Sequence, residues 1–499
     1  MVRRPLVSSS APAAVVIGGG FGGMAAALRL RAKGYRVTLV DRLGMLGGRA
    51  QSYTHGGFRH DAGPTVLTAP VLFEELFSLF GRRLEDYATL APLETWYRFR
   101  FNDASVFNYG GPLERTLAAI QDYAPADVDG YRRLLEYSRR LFDTAFAKMS
   151  AVPFDSIWSM VSQGPQLAKL SAHKSVWQMV SHFIRDPNLH QAFSIQPLLV
   201  GGNPFSTTSI YMLIHYLEQK WGVHYAVGGT SALVTAFARL IEETGIEVML
   251  SETAERIEVD AGRAVSGVVL ASGKRLPASI VVSNCDPIHL YAHMLPRSTV
   301  GLGARLKQRA RLSMGLFVLY FGTRQPYPDV ARHTILLGEG FRAHLDEIFK
   351  HGRIGEDISL YLHRPTATDP SFAPAGADSF YALCPVPNLN AGIDWSIEAP
   401  RLRAKIIDRL AKTVLPGLAE RIVADFHVTP AEFEKDYLSV AGAGFSIAPI
   451  FTQSAWFRFH NRGEGPNGLY LTGAGTHPGA GIPGVLCSAK VVDALVPAV

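Results

Sequence analysis

Residues 13–28 read Ala-Ala-Val-Val-Ile-Gly-Gly-Gly-Phe-Gly-Gly-Met-Ala-Ala-Ala-Leu, and the rest of the chain is arranged around them. The short β-branched run before the glycines predicts a strand, and the alanine-rich residues after them predict a helix. Gly18, Gly20 and Gly23 fill the frame G-x-G-x-x-G. In this frame the glycines allow a tight turn, the close approach of a pyrophosphate and the packing of helix on strand. The stretch therefore predicts half of a βαβ unit.

The second half of the unit follows at once. Gly34 ends the predicted helix, and residues 36–40 form a second apolar strand that leads to Asp41. A carboxylate about 20 residues past the glycines can accept a hydrogen bond from a ribose hydroxyl. A lone glycine frame is weak, because most Gly-rich turns are only turns. A frame between a strand and a helix, with an acid at this distance, favours a dinucleotide site without saying which dinucleotide.

Length and composition describe a large globular protein. The chain has 499 residues, so two or three domains are expected. Hydrophobic residues make up 47% of it and charged residues 18%, which is typical of an ordered protein with ample core. The net charge of +6 comes from Lys and Arg spread along the chain. We therefore expect no nucleic acid binding and a mild attraction to anionic lipid.

The cysteines and the hydropathy of the sequence indicate the cellular compartment of the protein. Cys285, Cys384 and Cys487 lie far apart without a C-x-x-C pair, so we expect neither a disulfide framework nor a metal site. Reduced thiols indicate the cytosolic side. The apolar stretch near the N-terminus is the first strand of the nucleotide fold, which argues against a secretory signal. No run of about 18 apolar residues occurs in the sequence, so no transmembrane helix is predicted.

Two further loops carry glycines. Arg42-Leu-Gly-Met-Leu-Gly-Gly-Arg49 brings the backbone at Gly48 close to a ligand, and the guanidinium of Arg49 can hold a diphosphate. The stretch 467–490 reads as a strand, a loop and a final helix, and the loop has glycines at 473, 475, 479, 481 and 484. Such a loop at the start of a helix favours a flat or anionic ligand against the backbone.

The order of these signals predicts one domain inserted into another. We expect residues 11–70, 225–300 and 455–499 to form the nucleotide domain, and residues 71–224 and 301–454 to form the second domain. Residues 129–220 are mostly helical by period. Apolar strands are expected at 313–322, 357–363 and 379–386.

The motifs that identify a family are Val-Ile-Gly-Gly-Gly-Phe-Gly-Gly, Leu-Gly-Gly-Arg49, Asp61-Ala-Gly-Pro, Leu199-Val-Gly-Gly-Asn-Pro204, Gln453-Ser-Ala-Trp-Phe457 and Gly473-Ala-Gly-Thr-His-Pro-Gly-Ala-Gly-Ile-Pro-Gly484. From about residue 13 onward the chain resembles the bacterial-type carotenoid desaturases, and in particular the phytoene desaturases. The last motif is the most specific of the six.

This resemblance implies an α/β fold, with an FAD-binding Rossmann-like domain of the glutathione-reductase and amine-oxidase type and an inserted α+β substrate domain. It implies FAD as cofactor. The implied cofactor residues are Gly18, Gly20, Gly23 and Arg49 at the pyrophosphate, Asp41 at the adenosine ribose, Arg42 and Gly48 beside them, and the loop with Gly473, Gly475 and Gly481 at the ribityl chain and flavin ring. Many relatives have Glu where this chain has Asp41.

The resemblance also implies the chemistry. Phytoene is a C40 hydrocarbon without a carbonyl, so we expect hydride transfer from an allylic carbon to the flavin and loss of a proton from the neighbouring carbon. Phytoene and partly desaturated carotenoids are the expected substrates, lycopene the expected product, and oxygen or a quinone the expected electron acceptor. His477 is the best histidine candidate for the proton acceptor. A histidine that only fixes the loop is an equal alternative.

Other functions remain open from the sequence. Another carotenoid desaturase, an isomerase or a ketolase would share these motifs. An FAD amine oxidase usually has an acid where this chain has Ala474. A prenyl-lipid carrier of the GDP-dissociation-inhibitor type, which has no flavin, would not need the loop from Gly473 to Gly484.

Residues about 155–220 are predicted to hold the enzyme on the cytoplasmic face of the membrane as a peripheral protein. Their apolar residues recur at roughly helical intervals and include two tryptophans, and basic residues lie among them. The set is Ile157, Trp158, Leu167, Leu170, Trp177, Val180, Phe183 and Ile184, with Lys169, Lys174 and Arg185 for headgroups. The alternative is that these helices pack as core over a substrate tunnel.

Overall fold

The structure is a computed structural model that describes residues 11–154 and 168–499. The strands of these ranges are β1 (Ala13–Ile17), β2 (Arg36–Val40), β3 (Ser52–His55), β4 (Phe58–Asp61), β5 (Leu67–Thr68), β6 (Leu90–Pro92), β7 (Tyr97–Arg100), β8 (Val106–Tyr109), β9 (Val223–Ala226), β10 (Glu247–Met249), β11 (Ala254–Val259), β12 (Val265–Leu270), β13 (Arg275–Pro277), β14 (Ile280–Ser283), β15 (Gly315–Thr323), β16 (His333–Leu336), β17 (Leu360–His363), β18 (Asp378–Val386), β19 (Ile422–Val428) and β20 (Leu469–Leu471).

The α-helices of the same ranges are α1 (Phe21–Ala32), α2 (Val71–Ser78), α3 (Leu113–Tyr123), α4 (Val128–Leu141), α5 (Val176–Phe183), α6 (Pro187–Ala192), α7 (Leu213–Trp221), α8 (Thr230–Glu243), α9 (Pro287–His289), α10 (Leu302–Lys307), α11 (Phe341–Asp346), α12 (Trp395–Thr413), α13 (Leu418–Arg421), α14 (Pro430–Tyr437) and α15 (Ile482–Leu495). The strands and helices predicted from periodicity lie within a few residues of these bounds.

The first unit is built on a parallel sheet with the strand order β10-β2-β1-β14-β20. Every neighbouring pair in it is parallel. β1, α1 and β2 form the predicted βαβ unit, and α1 packs against α15 at the end of the chain. The strand order reverses at β1, which lies between β2 and β14. Ligands of such sheets bind at the carboxyl ends of the strands next to this reversal.

The core of this unit extends past the boundary predicted at residue 70. Phe73, Leu76 and Phe77 of α2 are fully buried in the cluster that contains α1 and α8. The ring of Phe73 lies edge-on to Phe21 at 5.8 Å and to Phe237 at 6.1 Å. The predicted boundary is therefore too early, because α2 completes the nucleotide core. The rest of the predicted domain division stays a prediction.

The second unit is built on a sheet with the order β19-β15-β18-β17-β16-β7-β8. Its pairs are antiparallel except β16 and β7. Residues 315–323 of β15 are all buried, because both faces of the sheet are covered. Phe317, Leu319 and Phe321 pack on one side, in the cluster that contains α12. Val318 and Tyr320 face the other side, toward the helices of residues 113–221.

Those helices contain residues that were predicted to contact the membrane. Val180 and Ile184 are buried, and the ring of Trp177 lies 4.6 Å from that of Phe205. These apolar residues therefore pack in the protein core, which corrects their assignment to a lipid-facing set. Ile157, Trp158 and Leu167 lie outside the described residues. None of the helices in residues 11–154 and 168–499 is long and apolar enough to cross a bilayer.

Candidate active site

The glycine turn has the geometry that a pyrophosphate needs. The N–H of Gly18 donates to Val40 O at 2.8 Å, and Gly18 has a φ of +95°, which a side chain would strain. Gly20 begins α1 with a φ of −70°. A Cβ on Gly20 would come within 4 Å only of Asn284 Nδ2, at 3.2 Å, and of Gly47 O, at 3.9 Å. The first N–H groups of α1 are therefore approachable from the cavity that Gly20 lines.

Asp41 lies at the carboxyl end of β2 and lines the same cavity. Its Oδ2 accepts from Gly19 N at 2.5 Å and its Oδ1 from Leu43 N at 2.8 Å. Burial raises the pKa of this carboxyl above its usual value. A carboxylate has about four acceptor positions, so Asp41 still has room to accept a ribose hydroxyl. The two backbone bonds fix its orientation for that contact.

The two arginines of the predicted cofactor loop differ in their surroundings. The guanidinium of Arg49 donates to Gly444 O and Ser439 Oγ, and lies 5.8 Å from the ring centre of Tyr437. It lines the cavity together with Gly48. Arg42 is exposed and donates to the carbonyl oxygen of Lys435. Arg49 is therefore held at the cavity by residues far along the chain, and Arg42 ties its loop to α14.

The glycine loop near the C-terminus meets the first glycine turn at Asn284. Gly473, with a φ of +102°, would place a Cβ 2.6 Å from Asn284 Oδ1. Asn284 Nδ2 also donates to Gly18 O at 3.3 Å. Gly475 and Gly481 line the cavity, and Gly481 begins α15. Asn284 was not among the residues predicted from the sequence. Its signal is its position directly after β14, at the carboxyl edge of the sheet.

Two further buried residues, which were not predicted from the sequence, donate hydrogen bonds to the backbone of this loop. Arg458 is 1% exposed, and its Nη2 donates to Ala474 O at 2.6 Å. Asn461 Nδ2 donates to the carbonyl oxygens of Leu471 at 3.2 Å and His477 at 3.0 Å. Both residues follow the Gln453-Ser-Ala-Trp-Phe457 motif, which was the available signal. Side-chain hydrogen bonds from Arg458 and Asn461 therefore fix the backbone of this loop.

His477 is buried in the cavity wall and is neutral. Its Nε2 lies 3.1 Å from Met149 O, and a ring nitrogen facing a carbonyl oxygen must donate. Burial lowers its pKa to about 4. Its Nδ1 is a buried acceptor without a hydrogen-bond partner among the described residues. This geometry fits a histidine that ties the loop to the residues before Phe154, and it leaves one nitrogen for a ligand.

A single cavity of about 610 Å³ joins both glycine loops to the inner face of the seven-stranded sheet. Its wall on that face is mostly apolar and includes Leu316, Val318, Ile335, Leu337 and Leu383. A cavity of this size, mostly apolar with a few placed polar groups, is typical of a small-molecule site.

Glu218 of α7 is an acid in this apolar wall. It is 1% exposed, and its Oε1 accepts from the Tyr97 hydroxyl at 2.8 Å. Its Oε2 has no hydrogen-bond partner in the described part of the chain. Burial raises the pKa of Glu218 to about 8, so the carboxyl is mostly protonated at neutral pH. Glu218 was not predicted from the sequence, although it is the only acid in residues 213–221.

Comparison with known proteins identifies the family. Residues 21–492 match the family of flavin containing amine oxidoreductases. The chain is 47% identical over 483 residues to a phytoene desaturase (lycopene-forming) of Pseudescherichia vulneris, covering 96% of this chain and 98% of the relative. It is 42% identical to a phytoene desaturase (neurosporene-forming) of Rhodobacter capsulatus, covering 97% and 94%. A solved oxidoreductase from Methanosarcina mazei shares the fold, with a TM-score of 0.65 at 15% identity, covering 96% and 99%.

The predicted α/β fold and the flavin cofactor, FAD, are confirmed by these matches. The residues present fit FAD. Gly20 leaves open space at the start of α1, Asp41 has acceptor positions to spare, and His477 Nδ1 is an unused acceptor at the second loop. When bound, FAD supplies a hydride acceptor. The individual cofactor contacts of Gly18, Gly20, Gly23, Asp41, Arg42, Gly48, Arg49, Gly473, Gly475 and Gly481 stay predictions.

The substitution Gly20→Val tests the glycine turn at the start of α1 as an FAD site, separately from its role in the fold. Its φ is ordinary and few protein atoms lie near, so the variant should fold. It should weaken FAD binding by at least about 100-fold, because the side chain occupies the approach to the helix N-terminus. Flavin fluorescence titration and thermal unfolding measure both effects. In contrast, Gly23→Val should fail to fold, since its Cβ would lie 1.9 Å from Gly18 O. FAD binding by Gly20→Val equal to that of the parent would contradict the assignment.

The substitution Glu218→Gln tests the buried acid. The pKa of Glu218 is about 8 in the folded protein against a usual value of 4.5, so the unfolded chain loses its proton first as pH rises. Parent stability therefore falls between these two values, while the variant does not share this loss and keeps an acceptor for Tyr97. We expect a thermal stability gain that grows from about pH 5 to about pH 8. Glu242→Gln on the exposed face of α8 is the control. A gain that is the same at both pH values would show that the carboxyl is ionised throughout.

Proposed function

The chain belongs to the flavin-containing amine oxidoreductase family and, within it, to the phytoene desaturases, and we propose that it converts phytoene to lycopene. It is an FAD-dependent oxidoreductase of carotenoid biosynthesis. The observation that carries the proposal is the cavity that connects the two glycine loops with an apolar sheet face. A hydrocarbon substrate needs such a wall, because it offers no group for polar recognition.

The protein positions the substrate and excludes water from the reaction. An allylic hydrogen leaves phytoene as hydride, and the neighbouring carbon loses a proton, so one C=C bond forms and two electrons leave. The residues of β15, β16 and β18 that line the cavity bury apolar surface against the polyene. They hold its carbons near the glycine loops and exclude water from the cationic intermediate.

Lycopene as product, from four desaturations, is supported by the relative of Pseudescherichia vulneris at 47% identity. A neurosporene-forming relative stands at 42%, which makes neurosporene the alternative outcome of the test. We infer that oxygen or a quinone reoxidises the cofactor. In residues 11–154 and 168–499 one all-parallel sheet is present, and its glycine frame is taken by the flavin site, so no second fold of this kind is there for a nicotinamide.

The defining assay uses the FAD-loaded protein with phytoene in liposomes under air, followed by chromatography of the products. Lycopene should accumulate without added NAD⁺ or NADP⁺. Neurosporene as the end product would show that the protein performs fewer than the four desaturations that give lycopene. Unchanged phytoene with FAD saturating would contradict the function, and a strict need for NAD⁺ would contradict the acceptor.

The membrane contact is proposed at a small apolar cluster on the cavity wall. Met149, Ile210 and Ala455 line the cavity and belong to this cluster or pack against it. On the same segments, Val152 is 49% exposed and Phe457 is 37% exposed. The exposed Lys169 and Lys174 flank buried Ala172 of the cluster and suit anionic headgroups. Substrate that partitions into a bilayer would then enter beside the cavity.

The double variant Val152→Asp with Phe457→Asp tests this contact. It should lose sedimentation with anionic liposomes and retain FAD, because both side chains are exposed and burying a carboxylate in lipid is costly. Leu302→Asp on α10, where the side chain is 73% exposed, is the matched control and should sediment like the parent. Sedimentation of the double variant at the level of the control would move the contact elsewhere.

A further inference from the structure

Hydroxyl groups interrupt the apolar wall of the cavity at β17 and β18. Tyr361 and Tyr381 line the cavity, and their hydroxyls lie 2.9 Å and 2.8 Å from Thr65 Oγ1. Thr65 lies four residues after Asp61, directly after the Asp61-Ala-Gly-Pro motif. Burial raises the pKa of Tyr361 to about 12, so its hydroxyl stays protonated at neutral pH.

Two stacked histidines lie behind Tyr361. The hydroxyl of Tyr361 lies 2.6 Å from His333 Nδ1, and His333 Nδ1 lies 3.4 Å from His363 Nδ1. The two imidazole rings are 5.1 Å apart and inclined by 23°. His333 is 1% exposed and His363 is fully buried. Burial holds the pKa of both histidines well below the usual range, so both are neutral.

The series ends at a buried acid. His363 Nε2 lies 3.8 Å from Asp61 Oδ2, and Asp61 Oδ1 accepts from Thr230 N at 2.9 Å. Burial raises the pKa of Asp61 to about 6, and Arg332 and Arg59 oppose that rise. Other titratable groups that act on this cluster are His60 and Tyr97.

Hydrogen bonding within the cluster is incomplete. The Nε2 atoms of His333 and His363 and the Oδ2 of Asp61 have no hydrogen-bond partner in the ranges that the structure describes. Buried polar atoms without partners are costly, and a cluster that only braced the sheet would be expected to satisfy them. These residues form a series that starts at the cavity, and the unpaired atoms leave the cluster free to rearrange its hydrogen bonds.

We propose that Tyr361 takes the proton that the substrate loses in each desaturation and passes its own hydroxyl proton to His333. This inference rests on the proposed desaturase function. In this step the C–H bond next to the allylic cation breaks, its electron pair becomes the C=C bond, and an O–H bond forms on Tyr361 as its original proton moves to His333 Nδ1. The positive charge passes from the substrate to the imidazole.

The groups behind Tyr361 make this transfer feasible in a dry cavity. An allylic cation is a strong acid, so a neutral imidazole of low pKa suffices as acceptor. The imidazolium that forms is buried, and such a charge is tolerated only near an opposite one. The carboxylate of Asp61 lies 3.8 Å from His363 Nε2 and places a negative group beside the two histidines, while Arg332 opposes a positive charge on both of them. Tyr361 is thus the catalytic residue, and His333, His363 and Asp61 act through it.

The substitutions Tyr361→Phe and His333→Ala test the relay in the FAD-loaded enzyme. Each should lower kcat for phytoene by about 100-fold or more with a smaller change in KM, since proton transfer contributes this much. FAD content and thermal unfolding temperature of Tyr361→Phe should match the parent. Added imidazole should restore activity to His333→Ala. His344→Ala removes another buried imidazole, 4% exposed on α11, and imidazole should not change its rate.

A measurement without turnover uses histidine labelled with ¹⁵N. Tyr361→Phe should shift one ring-nitrogen resonance, and His333→Ala should remove the same one. A kcat for Tyr361→Phe equal to that of the parent, or no rescue of His333→Ala, would overturn the relay while leaving the desaturase function intact. Failure of the parent to convert phytoene would overturn the function, and the relay with it.

Discussion

The meeting of two glycine loops on Asn284 is the contact on which the rest of this structure depends. One loop follows β1 and the other follows β20, on either side of β14, from which Asn284 extends. The gap is too narrow for side chains, since a Cβ on Gly22 or on Gly473 would lie 2.6 Å from Asn284 Oδ1. Bare backbone N–H groups at two helix starts therefore border one cavity, and this is the arrangement that an extended dinucleotide requires.

The remainder of the fold brings an apolar surface to this cavity. β15 is long and buried on both faces, and its alternate residues separate the core against α12 from the cavity wall. Such a wall binds a hydrocarbon only through the apolar surface area that is removed from water. Polar groups in it are therefore few, and they include Glu218 and the hydroxyls of Thr65, Tyr361 and Tyr381.

The sequence predicted local features well and distant combinations poorly. The glycine frame, Asp41 and the closing loop were found because turns and helix starts are set by neighbouring residues. The boundary at residue 70 was misplaced because the apolar face of α2 is the same whichever core it joins. His333 and His363 meet because β16 pairs with β17, and Asp61 joins them from β4 of a separate sheet, which contacts β15 and β18. Asn284 and Glu218 each lacked a repeating pattern and were missed for that reason.

If one cavity holds the flavin and the hydrocarbon side by side, hydride passes directly from phytoene to the flavin. Anaerobic mixing of the FAD-loaded protein with phytoene liposomes, with no electron acceptor, tests it most directly through the absorbance of the oxidised flavin. That absorbance should bleach, with one double bond formed for each flavin reduced. Flavin that stays oxidised while phytoene is desaturated, or that is not reduced by phytoene at all, would contradict it.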